Sequence, residues 1–253
     1  MLCALFAPLL APYNPIETDL TDTLAPPSIA HPLGTDHQGR DLLSRLIYGA
    51  RISVAVGILS VFVAGVVGTL IAVLSGFLKG WMDRVLMSIT DGFLALPYLM
   101  VAVTAVAILG PSLTNVILII GLSRWMLYAR VLRGEVLKTA ERDFVRLAAV
   151  AGCSRWHIIR RHILQNLVNS LLVPATLQLG TAVILESSLS FLGLGVPRPM
   201  PSWGTMLAES QTYLWTTWWL PMFPDVAISL LVMACNLTGD WLRNRLDTTL
   251  RPL

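Results

Sequence analysis

The chain has 253 residues, 55% of them hydrophobic and 13% charged, with a mean hydropathy of +0.69. Water-soluble domains carry about 25% charged residues, so this composition excludes a single water-facing core and puts the chain in the membrane class. A net charge of +3 makes no nucleic-acid footprint, and neither the scattered cysteines (Cys3, Cys153, Cys235) nor the four dispersed histidines outline a disulfide framework or a metal site.

A spanning helix needs about 20 mostly apolar residues. Residues 1–11 read as the end of such a helix whose first half is missing, with a signal-peptide apolar region as the alternative. The segment 12–51, rich in Pro and Asp, reads as an irregular cover ending in a short helix near RDLLSRLIYGAR. Five full runs follow: Ile52–Phe77, Val85–Gly110, Leu113–Leu132, Asn166–Leu192 and Phe223–Leu242. Ala64, Gly68 and Ala72 recur every fourth residue in the first run, a spacing that lets helix backbones approach within one chain or across a dimer. Pro97 is expected to kink the second run. The expectation is an all-α integral membrane protein of about six spans, the first one short.

Lys and Arg placement gives the orientation. With residues 1–11 running outward, segments 78–84, 133–165 and 243–253 face the cytoplasm and hold 12 of the 18 basic residues. The outer segments hold four, namely Arg40, Arg45, Arg51 and Arg198. Segment 193–222 then lies outside, with Trp203, Trp215, Trp218 and Trp219 suited to a membrane-water boundary.

The stretch 144–165, FVRLAAVAGCSRWHIIRRHILQ, lies between two apolar runs. Glu141–Ala151 is good helix sequence, Gly152 suits a left-handed helix end, and Ser154 suits the cap of a second helix from Arg155. Phe144, Leu147, Ala148 and Ala151 share one face by spacing. Such an apolar knob in a basic surround fits a groove on another protein. It fits equally a helix resting on anionic lipid. His157 and His162, five apart, are not expected to share a helix face.

FVRLAAVAGCSRWHIIRRHIL resembles the cytoplasmic loop of ABC-importer permease subunits. That pattern is Glu-Ala-Ala, three residues, Gly, and a later Ile-x-Leu-Pro. Arg146 stands at its Glu, Leu147 and Ala148 at the Ala pair, Gly152 at its Gly, Leu164 at its Leu and Gln165 at its Pro. HPLGTDHQGRDLLSRLIYGARIS (31–53), ESSLSFLGLGVPRPMPSWGTML (186–207) and NLTGDWLRNRLDTTLRP (236–252) are similar to segments of the dipeptide, oligopeptide and nickel subgroup. In the last of these, Asp247-Thr248 stands where the subgroup has Asp-Pro.

The resemblance implies a type I importer permease fold in a bacterial inner membrane. It divides the chain into 1–51, a core 52–242 with coupling loop 138–165 and external segment 193–222, and a tail 243–253. It implies a second homologous permease subunit, two ATP-binding subunits and an external solute-binding protein. Phe144, Arg146, Leu147, Ala148, Ala151, Gly152 and Ser154 become the docking residues for the ATPase subunits. The sequence holds no GxxxxGK[ST] loop, so ATP and Mg are expected in the partners, with no cofactor and no catalysis in this chain.

Ionisable residues within spans are costly and are candidates for function by default. Asp91, Arg124 and Glu186 are the candidates for a solute pathway, with pairing or capping as the structural alternative. For Arg124 the choices are a peptide carboxylate, an internal pair or snorkelling to the lipid edge. A secondary transporter working alone would need inverted repeats, which the sequence lacks. An intramembrane hydrolase would need histidine or paired carboxylates inside the spans, yet all four histidines fall outside them.

Overall fold

The computed structural model describes residues 6–246. Among these, all regular structure is helical, apart from one isolated bridge between Thr35 and Asp41. The helices are α1 (Ala7–Leu10), α2 (Leu42–Leu78), α3 (Gly80–Ala95), α4 (Tyr98–Leu109), α5 (Leu113–Leu122), α6 (Trp125–Ala140), α7 (Asp143–Val150), α8 (Arg155–Phe191), α9 (Trp203–Ser210) and α10 (Trp219–Leu246).

Three helices, α2, α8 and α10, are long and apolar enough to cross a membrane. The count becomes five if α3–α4 and α5–α6 are each one broken span. The α3–α4 pair bends by 88°. Leu96 precedes Pro97 and is extended (φ −81°, ψ 137°), as the crowding by a following proline ring dictates. The α5–α6 pair bends by 42° at Ser123–Arg124, a break with no proline. The short helix expected before residue 52 is instead the first part of α2, which runs unbroken from Leu42. Of the expected first span, only α1 falls within the described residues, and residues 1–5 lie outside them.

The chain forms two compact units. The first comprises residues 6–60, 102–120 and 179–234 of the described chain. Its core is Leu42, Ala50, Val183, Trp203, Met206, Trp219, Leu220 and Ile228. Two of the four tryptophans expected at a membrane boundary are in this core. Trp203 donates Nε1–H to the Leu46 carbonyl at 2.9 Å, and Trp219 donates to that of Thr35 at 3.4 Å. Trp215 and Trp218 remain exposed. Ser202 and Thr205 cap the start of α9 reciprocally, each side chain accepting the other's backbone N–H.

The second unit comprises residues 61–101, 121–178 and 235–246 of the described chain. Its core joins Ala64, Ala72 and Val73 of α2, Tyr128, Leu132 and Val136 of α6, Val145 of α7, and Ile158, Ile163 and Leu167 of α8. The Ala64–Gly68–Ala72 spacing serves this intrachain packing. A Cβ on Gly68 would fall 2.4 Å from Tyr128 Cβ and 2.6 Å from the Trp125 carbonyl oxygen.

Candidate functional site

The loop 141–164 folds as its residues dictate. α6 ends at Ala140, and Glu141 and Arg142 form the break before α7, which is therefore shorter than the expected Glu141–Ala151 helix. Gly152 takes φ +82°, its N–H bonds the Ala149 carbonyl at 3.1 Å, and the Cys153 N–H bonds that of Ala148 at 3.0 Å. These two bonds make a Schellman end, which needs the left-handed conformation that glycine adopts freely. Ser154 then caps α8, its Oγ accepting the His157 N–H at 3.2 Å.

The expected docking face is divided. Val145, which the sequence reading passed over, is buried in the second unit's core, and Ala148 and Cys153 pack partly against it. Leu147 (67% exposed) and Ala151 turn outward, joined by Val150 (86%) and Trp156 (68%), neither of which was singled out by spacing. Phe144 is at the edge, its ring 5.7 Å from that of His162. Arg146, Gly152 and Ser154 are exposed. A π-helical turn at Ile159–Ile163 widens α8. It brings residues five apart together, so the His157 and His162 rings are 6.1 Å apart, against the expectation that they diverge.

Of the three span candidates, Glu186 is fully buried in the first unit. Its Oε1 accepts from Ser190 Oγ at 2.7 Å and Ser202 Oγ at 2.9 Å, and its Oε2 from Ser53 Oγ at 3.3 Å. Each hydroxyl also accepts a backbone N–H, from Val196, Thr205 and Trp203 respectively. One carboxyl group thereby orders three backbone segments.

Asp91 accepts from Arg130 Nη2 at 2.8 Å in an exposed ion pair of the second unit. Arg124, partly buried at the start of α6, donates Nη2–H to Gln178 Oε1 at 2.8 Å, and its guanidinium carbon is 4.7 Å from the Tyr98 ring centroid. The other acids of the two bent pairs also have cations. Arg133 grips Asp83 by two bonds of 2.6 Å, and Lys138 reaches Glu135 at 3.0 Å. Among the described residues, Arg124 has no carboxylate partner.

A charged knot in the first unit escaped the sequence reading. Arg40 and Arg45 each bond both Asp36 and Glu209, and Arg198 reaches Glu209 at 3.3 Å. The Asp36–Arg40 spacing of four was the available local signal; Glu209, 169 residues from Arg40, had none. Asp36, Glu209 and His37 offer ligand atoms within 4.8 Å of one another. The guanidinium groups already occupy the places a cation would take. Burial works to raise the Asp36 carboxyl, but the Arg45 and Arg40 charges and the Gln38 and Arg40 N–H bonds prevail and hold it below the usual carboxylate value.

Residues 68–252 match the family of binding-protein-dependent transport system inner membrane components. The chain belongs to that family. It is 41% identical over 247 residues to the probable D,D-dipeptide transport system permease protein of Escherichia coli (strain K12), covering 98% of this chain and 83% of that one. It is 42% identical over 257 residues to the di/tripeptide transport system permease protein of Pseudomonas aeruginosa (strain UCBPP-PA14), covering 99% and 85%. The fold resembles that of a chain of the methionine ABC transporter MetNI, itself solved in inward-facing conformations, with a TM-score of 0.65 at 19% identity over 81% of this chain and 97% of the other. The permease is thus a multi-pass inner-membrane subunit of an ATP-driven importer, a class that works with ATPase and solute-binding subunits. These matches set aside a transporter working alone.

Proposed function

We propose that this permease forms half of a pathway for small peptides, paired with a second homologous permease subunit and driven by two ATP-binding subunits. An external binding protein supplies the solute. ATP and Mg belong to the partner subunits, and the chain itself is not catalytic. The 12-to-4 bias of basic residues supports a cytoplasmic position for the loop 133–165 and an external one for 12–51 and 193–222.

The observation that carries the reading is the construction of α7. Val145 anchors this eight-residue helix in the core that also holds α2, α6 and α8, while Leu147, Val150 and Trp156 are exposed beside it. A helix rooted on one side and apolar on the other is suited to insertion in a groove of an ATPase subunit. Leu147, Ala151, Val150 and Trp156 form the knob. Phe144 flanks it, Arg146 supplies rim charge, Ala148 seats the helix, and Gly152 and Ser154 fix the bend. Rigid transfer of ATPase closure through this element to the spans is the mechanism proposed.

The test is the assembled transporter with Leu147→Asp and Val150→Asp together. Both positions are exposed, so the chain should fold and reach the membrane. ATP-dependent uptake and co-purification of the ATPase subunits should fall at least about tenfold, since burying two charges without partners costs several kcal/mol. Wild-type uptake by this variant would refute the assignment.

Of the three candidate pathway residues, Asp91 and Glu186 have partners that supply a structural role. Arg124 is the candidate retained for the pathway.

A further inference from the structure

We infer that Arg124 is the pathway's receptor for the carboxylate of a peptide solute, an inference that rests on the importer reading above. A guanidinium has five N–H donors on a planar fork and always carries its charge. In this structure Gln178 takes one donor and the Tyr98 ring faces the plane. Both neighbours are electrically neutral. They fix the orientation of the fork without cancelling its charge.

A cation within a span normally meets a counter-ion, because leaving it unpaired in a poorly solvated setting is costly. Here Asp83, Asp91 and Glu135, the acids of the two bent helix pairs, are committed to Arg133, Arg130 and Lys138. The missing negative charge therefore comes from outside the described chain. A carboxylate fits, since it accepts two parallel N–H bonds from one guanidinium edge. The position agrees with a transient ligand. Arg124 is partly buried but not sealed from the surface, and it stands at the break between α5 and α6 rather than within a helix. Tyr98 stands directly after the other break, at Pro97. The bends of the two bent helix pairs among the described residues are thus joined by one cation–ring contact.

The solute is the source of this carboxylate. A carboxylate of the second permease subunit, or a lipid phosphate, would satisfy the same fork, and the experiment distinguishes them. The complete transporter with its ATPase subunits and binding protein is reconstituted in vesicles, as wild type, Arg124→Lys and Arg124→Gln. Uptake of alanyl-alanine and of alanyl-alanine amide is measured, each normalised to its occupancy of the binding protein, alongside ATP hydrolysis.

The expected result is that Arg124→Gln lowers alanyl-alanine uptake about tenfold and shifts the ratio of acid to amide uptake towards one. ATP hydrolysis stimulated by the loaded binding protein stays within about twofold, and Arg124→Lys recovers only part of the uptake, because it keeps the charge but loses the planar two-bond fork. Equal losses for acid and amide, or joint loss of uptake and ATP hydrolysis, would assign Arg124 to subunit or lipid pairing and overturn the inference. Unchanged uptake by Arg124→Gln would overturn it as well. A wild-type complex with no ATP-dependent uptake of either probe would instead overturn the peptide-importer reading on which the inference rests.

Discussion

Replacing Glu186 by leucine tests whether one carboxyl group organises the first unit. Leucine is close in volume and supplies no acceptor. Ser53, Ser190 and Ser202 then lose the oxygen to which their hydroxyls donate. A buried donor left unsatisfied costs about 1–3 kcal/mol. Two of the three have a local escape. Ser190 can turn to the carbonyl four residues earlier, as Ser188 already does, and Ser202 already has Thr205 Oγ1 at 3.3 Å. The expected cost is therefore about 2–5 kcal/mol, below the sum of three full penalties. Glu186→Gln keeps the oxygen that serves Ser190 and Ser202, and its amide group can donate to Ser53, so it should cost about 1 kcal/mol. The assay is thermal unfolding of the purified full chain in detergent. At about 2–4 °C per kcal/mol for a chain of this size, leucine should lower the midpoint by roughly 4–20 °C and glutamine by only a few degrees. A leucine variant that melts with the wild type, or a glutamine variant that falls as far as leucine, would refute the argument.

Two further predictions concern packing and pH. Gly68→Ala should destabilise by about 1–3 kcal/mol, because the new Cβ collides with α6 backbone, whereas Gly65→Ala, whose Cβ would meet only Leu171 Cδ1 at 3.7 Å, should be neutral or stabilising by up to about 1 kcal/mol; thermal midpoints of the pair decide it, and equal shifts would count against the close helix approach. Asp36 titrates below its unfolded value of 3.8, so its contribution to stability is complete above that value and is lost as pH falls through the lower folded one. The midpoint difference between wild type and Asp36→Asn, measured from neutral to acid, should therefore narrow below about pH 4, and a constant difference would refute the sign.

Much of the fold was legible because apolar runs long enough to span are rare outside membranes and Pro97 marked one backbone break, although Pro174 and Pro224 lie inside unbroken helices. The coupling bend was legible for a local reason. Gly152 and Ser154 act through bonds to residues within five positions, so their sequence context already contains their partners. What spacing could not show was the direction of each face. A regular 3.6 period put Phe144, Leu147, Ala148 and Ala151 together, yet the rotation of α7 is set by Val145 entering a core assembled from α2, α6 and α8. The π turn had no signature in composition, and only its geometry explains the approach of His157 to His162. The break at Arg124 had no proline or glycine at its apex, and Ser53 for Glu186 and Arg40 and Arg45 for Glu209 come from remote positions. Trp203 and Trp219 looked like boundary residues because composition cannot tell a wet indole from one that donates to a buried carbonyl.

The Asp36–Arg40–Arg45 knot has a consequence for biosynthesis. Of the two carboxylates that bind Arg40 and Arg45, only Asp36 leaves the ribosome with them, and Glu209 follows 169 and 164 residues later. At about 5–20 residues per second, the nascent segment waits roughly 8–35 seconds for its second carboxylate. Until then the knot lacks one of its two shared carboxylates. Its maturation is a late event, completed only after residue 209 has been made, and a chain stalled before that point would present an unfinished segment to quality-control proteases.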